Sequence, residues 1–198
     1  MSNPNTPFGF VELGWNRGGP AVTGALVERK IAAGYGTAIG KGDMVQSLST
    51  GYVSRGAAGV AGSNVAGIFA GCKYLSTSLK RIVYSPSWPT GDHAYDGTAF
   101  IIPIAGVPPK LFKVQTLLTA LTLADIGSNI DIDAGAVNAQ GFSTMSVSAA
   151  TLATTATLPF RVVDLYSSIA PYGVPGTDDT SSYNIVLVQS NPDYETGI

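Results

Sequence analysis

The sequence predicts an all-β protein, on two observations. Short apolar runs alternate with polar residues at the two-residue period of a strand, and 24 Gly and 12 Pro punctuate them at turn-like intervals. No long stretch carries the apolar spacing of an amphipathic helix able to serve as a crossover, which excludes a doubly wound α/β fold. The expected architecture is a small barrel or sandwich of short antiparallel strands with an extended N-terminal arm and at most one or two short helical turns. At 198 residues, one such domain plus an arm accounts for the length.

Residues 1–36 form the arm. Pro4, Pro7, Gly9, Gly14, Gly18, Gly19 and Pro20 break any regular pattern, while Phe8, Phe10, Val11, Leu13 and Trp15 are too apolar for a solvated tail. Such a segment lies either on its own domain or on a neighbouring subunit, and the sequence leaves both open. Within it AVTGALVERKIAA (21–33) reads as one or two helical turns, weakened by Gly24 and the β-branched Val22, Thr23 and Val27.

The β domain spans 37–198. KGDMVQSLSTGYVSR (41–55) is a hairpin, with Gly51 supplying the positive φ of its turn. NVAGIFAGCKYL (64–75) is a strand in which Gly67 and Gly71 mark bulges or a close backbone approach. KRIVYS (80–85) follows, stopped by Pro86, and AFIIPI (99–104) and KLFKVQT (110–116) have strand length. TLADIG (122–127) is a helical turn with Thr122 at its start and the left-handed residue Gly127 at its end. NIDIDAG places Ile130 and Ile132 on one face and Asp131 and Asp133 on the other. STMSVSA (143–149), LPFRVVDLY (158–166) and NIVLVQS (184–190) complete the strands, as one barrel or as two small lobes hinged near 134–141.

Charge bears on function. Lys and Arg number 11 and Asp and Glu 13, so 12 % of the chain is charged, about half the usual share, and the net charge is −2. Without a basic stripe, a nucleic-acid partner is not expected. The one cysteine, Cys72, cannot form an intrachain disulfide, and its alternation with Ala70 and Tyr74 makes it a small buried hydrophobe. The most apolar stretch, 100–112, is broken by Pro103, Pro108, Pro109 and Lys110, and MSNPNTPFGF has no signal-peptide pattern. The expectation is a soluble, unexported protein without a membrane partner.

No catalytic residue, cofactor or metal site is expected. GYGTAIGKG (34–42) fails as a phosphate loop because three residues, not four, separate Gly36 from Gly40, and Gly42 follows Lys41 where a Ser or Thr is needed, so it reads as a flexible joint. His93 lies between Asp92 and Asp96 with no nucleophile motif elsewhere, and reads as a solvated turn histidine. One Cys and one His cannot furnish a zinc site, and neither Asp131 with Asp133 nor Asp178 with Asp179 has calcium-loop spacing. Trp88, between Ser87 and Pro89, has three readings: a plug for one end of the β core, a partner anchor, or a platform for a sugar ring.

The ordered phrases KGDMV, NVAGIFAGCKYL, IVYSPSWPTG, KLFKVQT, LADIGSNIDI, TTATLPFRVVDLY and YNIVLVQSNPDY, covering about 41–194, together resemble the capsid decoration, or cement, proteins of tailed bacteriophages. The resemblance implies a structural, non-enzymatic virion protein, made in the host cytoplasm, that binds the exterior of an icosahedral head. Its implied partners are the major capsid protein and further copies of itself, as dimers or trimers. The matching phrases are scaffold, so no binding residue carries over. Anchors are instead expected at Phe8, Phe10, Trp15 and Arg17 in the arm and at Trp88, because aromatic and Arg side chains dominate interface energy. A carbohydrate-binding β domain of a fibre or adhesin, with Trp88, Tyr95 and Tyr172 as stacking platforms, is the alternative, as is another head or tail subunit.

Overall fold

A computed structural model describes residues 3–15, 26–60, 64–104, 109–166, 178 and 181–191. Fourteen strands are described: β1 (Val11–Trp15), β2 (Val27–Ile31), β3 (Ile39–Gly40), β4 (Met44–Ser47), β5 (Val53–Arg55), β6 (Val65–Leu75), β7 (Ile82–Ser85), β8 (Ser87–Trp88), β9 (Gly97–Ile102), β10 (Lys110–Leu117), β11 (Asn129–Asp133), β12 (Ser146–Ala153), β13 (Phe160–Leu165) and β14 (Ile185–Ser190). A 3-10 turn forms at Leu123–Asp125, at the place expected. The Asp125 carboxylate holds it by accepting the Thr122 backbone N–H at 2.7 Å and hydroxyl at 2.8 Å.

The chain builds two packed barrels. In the C-terminal one the order β10, β12, β11, β13, β14 returns to β10, whose residues 111–115 pair with β14 while Thr116 and Leu117 pair with β12. Inward alternation fills it with Phe112, Val114, Ile130, Ile132, Val147, Phe160, Val162, Val186 and Val188, all buried. In the N-terminal one the order is β2, β9, β6, β4, β5, and a parallel bridge between Lys30 and Tyr52 brings β2 back beside β5. Ile31, Val45, Val53, Phe69, Cys72, Ala99 and Ile101 are buried there with Ile39 and Trp88.

The hairpin β4–β5 and the bulges of β6 form where the sequence places them. Gly51 turns the hairpin at φ +83°. Gly67 (φ +146°) and Gly71 (φ +148°) lie at register shifts of β6 against β4 and β9. The bulges let β6 serve both cores. Met44, Ile68 and Ile102 stand opposite one another on the outer face of the N-terminal barrel and pack into the C-terminal core.

The expected arm is not separate. Its described residues supply β1, which pairs with β10, and β2, which pairs with β9. Residues 27–31 are therefore strand rather than helical turn, because pairing with β9 and burial of Ile31 override a weak local preference. Gly9 and Phe10 occupy the seam between the barrels. Gly9 N–H donates to Met145 O at 3.2 Å and Phe10 N–H to Gly42 O at 2.9 Å. Nor is 34–42 a loose joint: β3 pairs with β8, and Gly40 packs so closely on Phe142 and Ser143 that a Cβ would collide with their backbone. The stretch 134–141 contributes to this seam as well, since Gly141 O accepts from Lys41 N–H at 3.0 Å. The change from N-terminal to C-terminal barrel instead falls between β9 and β10.

Candidate interaction surface

The expected anchors divide sharply. Phe10 is 3 % exposed, with its ring stacked on Phe160 at 4.7 Å and edge-on to Phe112 at 6.4 Å. Trp88 is fully buried: its indole N–H donates to Tyr35 O at 2.9 Å and its ring fills the space over Gly97 that a Cβ would need. Neither side chain has surface to offer a partner or a sugar, which corrects the expectation for both. Of the readings for Trp88, the plug of the β core is the one observed. Phe8 is half-buried under the Lys113 ammonium, 5.5 Å from its ring centroid. Trp15 ends β1, where its backbone pairs with Lys110. Arg17 and Tyr172 lie outside the described residues.

The loop around Trp88 is likewise structural. His93 is half-buried and tilted on the Trp88 ring at 4.4 Å, so it is not a solvated turn residue. Cys72 is buried, and desolvation pushes its thiol up to about 12, leaving no thiolate for chemistry at neutral pH. Asp92 accepts hydrogen bonds from Ser76 Oγ, Thr77 Oγ1 and Ser78 N–H at 2.6, 2.7 and 2.8 Å, and these donors hold its carboxyl well below the usual range. Asp96 is lowered by Ala33 N–H and the Tyr52 hydroxyl in the same way. Both carboxylates fasten loops. Among the described residues, no three His, Cys, Asp or Glu side chains gather as a metal site.

What the surface does present is an apolar stripe along β7. Ile82 is 65 % and Tyr84 72 % exposed, with exposed Leu79 in the preceding turn. Tyr84 lies parallel to Phe100 of β9, at 5° and 6.4 Å between centroids, and Lys73 of β6 stands 5.7 Å from the Phe100 ring. The Lys73 ammonium meets Glu28 of β2 at 3.7 Å. The stripe is therefore built on paired strands and on a ring stack, not on a loose loop. Its outer edge is open: β7 pairs with β6, and among the described residues with no other strand. The sequence held a signal for this surface that alternation alone does not give. Lys80 and Arg81 before IVYS and Pro86 after it mark the run as an edge strand, since a central strand seldom ends on Pro.

No protein-family model, curated protein or solved structure matches the chain.

Proposed function

We propose that the protein is a structural virion component that binds the outer surface of an icosahedral phage head, bridging major capsid subunits and stabilising the shell. The observation that carries this reading is the Ile82, Tyr84 and Phe100 stripe on an open strand edge. Rigid, stacked apolar groups exposed beside unpaired backbone are suited to adhesion, and contiguous exposed apolar surface marks interaction sites. The sparse charge of the chain and the phrase-level likeness to decoration proteins support the same reading. Cementing is then multivalency. Each copy touches several shell subunits, and once one contact forms the others close at high effective concentration.

The role needs no turnover. Partners are the major capsid protein and other copies of this chain, and the place of action is the capsid exterior after synthesis in the host cytoplasm. The carbohydrate-binding alternative loses its principal platform with the burial of Trp88, and of its other two platforms Tyr95 is exposed. Copy number in purified virions tests the proposal. A number comparable to the major capsid protein is expected, whereas a few copies per particle, or none, overturns it.

A further inference from the structure

The pairing of β6 with β7 determines which backbone groups of β7 stay open. Ser76 N–H donates to Arg81 O at 3.0 Å, and the ladder continues through Leu75↔Ile82, Tyr74↔Val83, Lys73↔Tyr84 and Cys72↔Ser85. Hydrogen-bonded and non-hydrogen-bonded pairs alternate along an antiparallel ladder. Val83 and Ser85 therefore turn their polar groups toward β6, and Ile82 and Tyr84 turn theirs outward. Leu75 has the matching parity: its carbonyl, opposite Ile82, accepts from Ala94 N–H at 3.0 Å on the side away from β7. Two N–H and two C=O groups thus face outward beneath two exposed apolar side chains.

The edge also has polarity. Lys80 and Arg81 are exposed at its N-terminal end, and Pro86 stands beyond its C-terminal end. Asp92 is the acid near the basic end, and its carboxylate is turned into the 76–78 turn. Among the described residues, β1 also pairs on one side only and has exposed apolar residues, Val11 and Leu13, but it carries a bulge between Glu12 and Gly14. Bulges protect edges from added strands, and β7 pairs without one.

We propose that the outer edge of β7 accepts an extended segment of a partner protein as an antiparallel strand, apolar at alternate positions and acidic toward its C-terminal end. This rests on the adhesive reading above and adds the chemistry of the partner. Antiparallel addition continues the ladder from β9 through β6 to β7 and sets the C-terminal end of the incoming strand beside Lys80 and Arg81. Its apolar side chains then lie across Ile82 and Tyr84. A second copy of β7 fits less well: a two-fold pairing sets Lys80 and Arg81 against Ser85 and Pro86, with no acid to meet them.

The test uses the full chain and a fluorescein-labelled peptide, Ser-Val-Thr-Val-Thr-Val-Asp-Glu, read by anisotropy. Two N-methylated isomers of the peptide block either one edge or the other. Binding of the parent peptide is expected, with a loss of about tenfold for one isomer, equal to two blocked backbone bonds, and little loss for the other. Lys80→Glu combined with Arg81→Glu should weaken the acidic peptide and favour one ending in Lys-Lys. No binding up to roughly 1 mM, equal losses for both isomers, or dimerisation through β7 that the peptide does not displace overturns the inference. High virion copy number without peptide binding sinks this inference alone, and peptide binding with absence from virions sinks the head assignment alone.

Discussion

Arg55 grips Asp43 through two bonds, Nε to Oδ2 at 2.8 Å and Nη2 to Oδ1 at 3.1 Å, with the carboxylate fully buried. Ser143 of the C-terminal half donates to the same carboxylate at 2.6 Å, and Gly40 N–H at 2.7 Å. Arg55 reaches on to the carbonyls of Ala134 and Gly135. This cluster pins the two barrels together at a point where water cannot compensate a lost partner. Arg55→Ala should therefore cost about 3 to 5 kcal/mol, because it leaves a buried charge without its counter-ion. Urea unfolding followed by circular dichroism measures it, and a loss under about 1 kcal/mol would contradict the pin.

Phe10 belongs to the core it stacks on, so Phe10→Ala should destabilise the isolated protein by about 3 to 5 kcal/mol through the cavity it leaves. Phe8→Ala, on a half-buried ring, should cost clearly less. If both changes leave the thermal midpoint alone, the described arm residues do not form part of the fold. Removing the arm to probe head binding would confound the two effects.

Gly67 tests the bulge of β6. An added Cβ would meet the Ile102 carbonyl oxygen and the Ile101 side chain, and φ +146° is unfavourable for any other residue. Gly67→Ala should cost well over about 1 kcal/mol. Gly51→Ala, with open space around the turn at φ +83°, pays the backbone strain without the collision and should be milder. The order of the two unfolding midpoints decides the point.

Asp92 sets an acid response. Its folded-state pKa lies below the unfolded value, so its contribution is present above the unfolded value of about 3.9 and is lost as pH falls through the folded one. The turn it holds leads into β7, so acid should loosen 76–81 before the barrels. Amide exchange at Ser78, followed from about pH 5 downward through and below the usual carboxylate range, measures this. Asp92→Asn should remove the pH dependence, and an unchanged profile in that variant would assign it to another group.

Much of the β layout is legible in the sequence alone. The hairpin around Gly51, the bulges at Gly67 and Gly71, the inward Ile130 and Ile132 and the 3-10 turn depend on neighbours in sequence or on strand parity, and each lies where local rules put it. Val27–Ile31 was not legible as strand, since only β9 makes it one. The surface was missed for a related reason. Phe10, Trp88, Ile82 and Tyr84 are all large apolar residues beside turn formers, and residue type alone does not say which of them neighbouring strands cover.

The sequence by itself determined that the chain is all-β, where most strands begin and end, and which residues alternate. Tertiary structure alone decided that there are two barrels, that Gly9 and Phe10 lie in their seam, and that Trp88 is enclosed while Tyr84 faces outward. The reason is physical. A period of two gives each strand two faces, but which face is covered depends on the strands that close over it, and those come from distant parts of the chain.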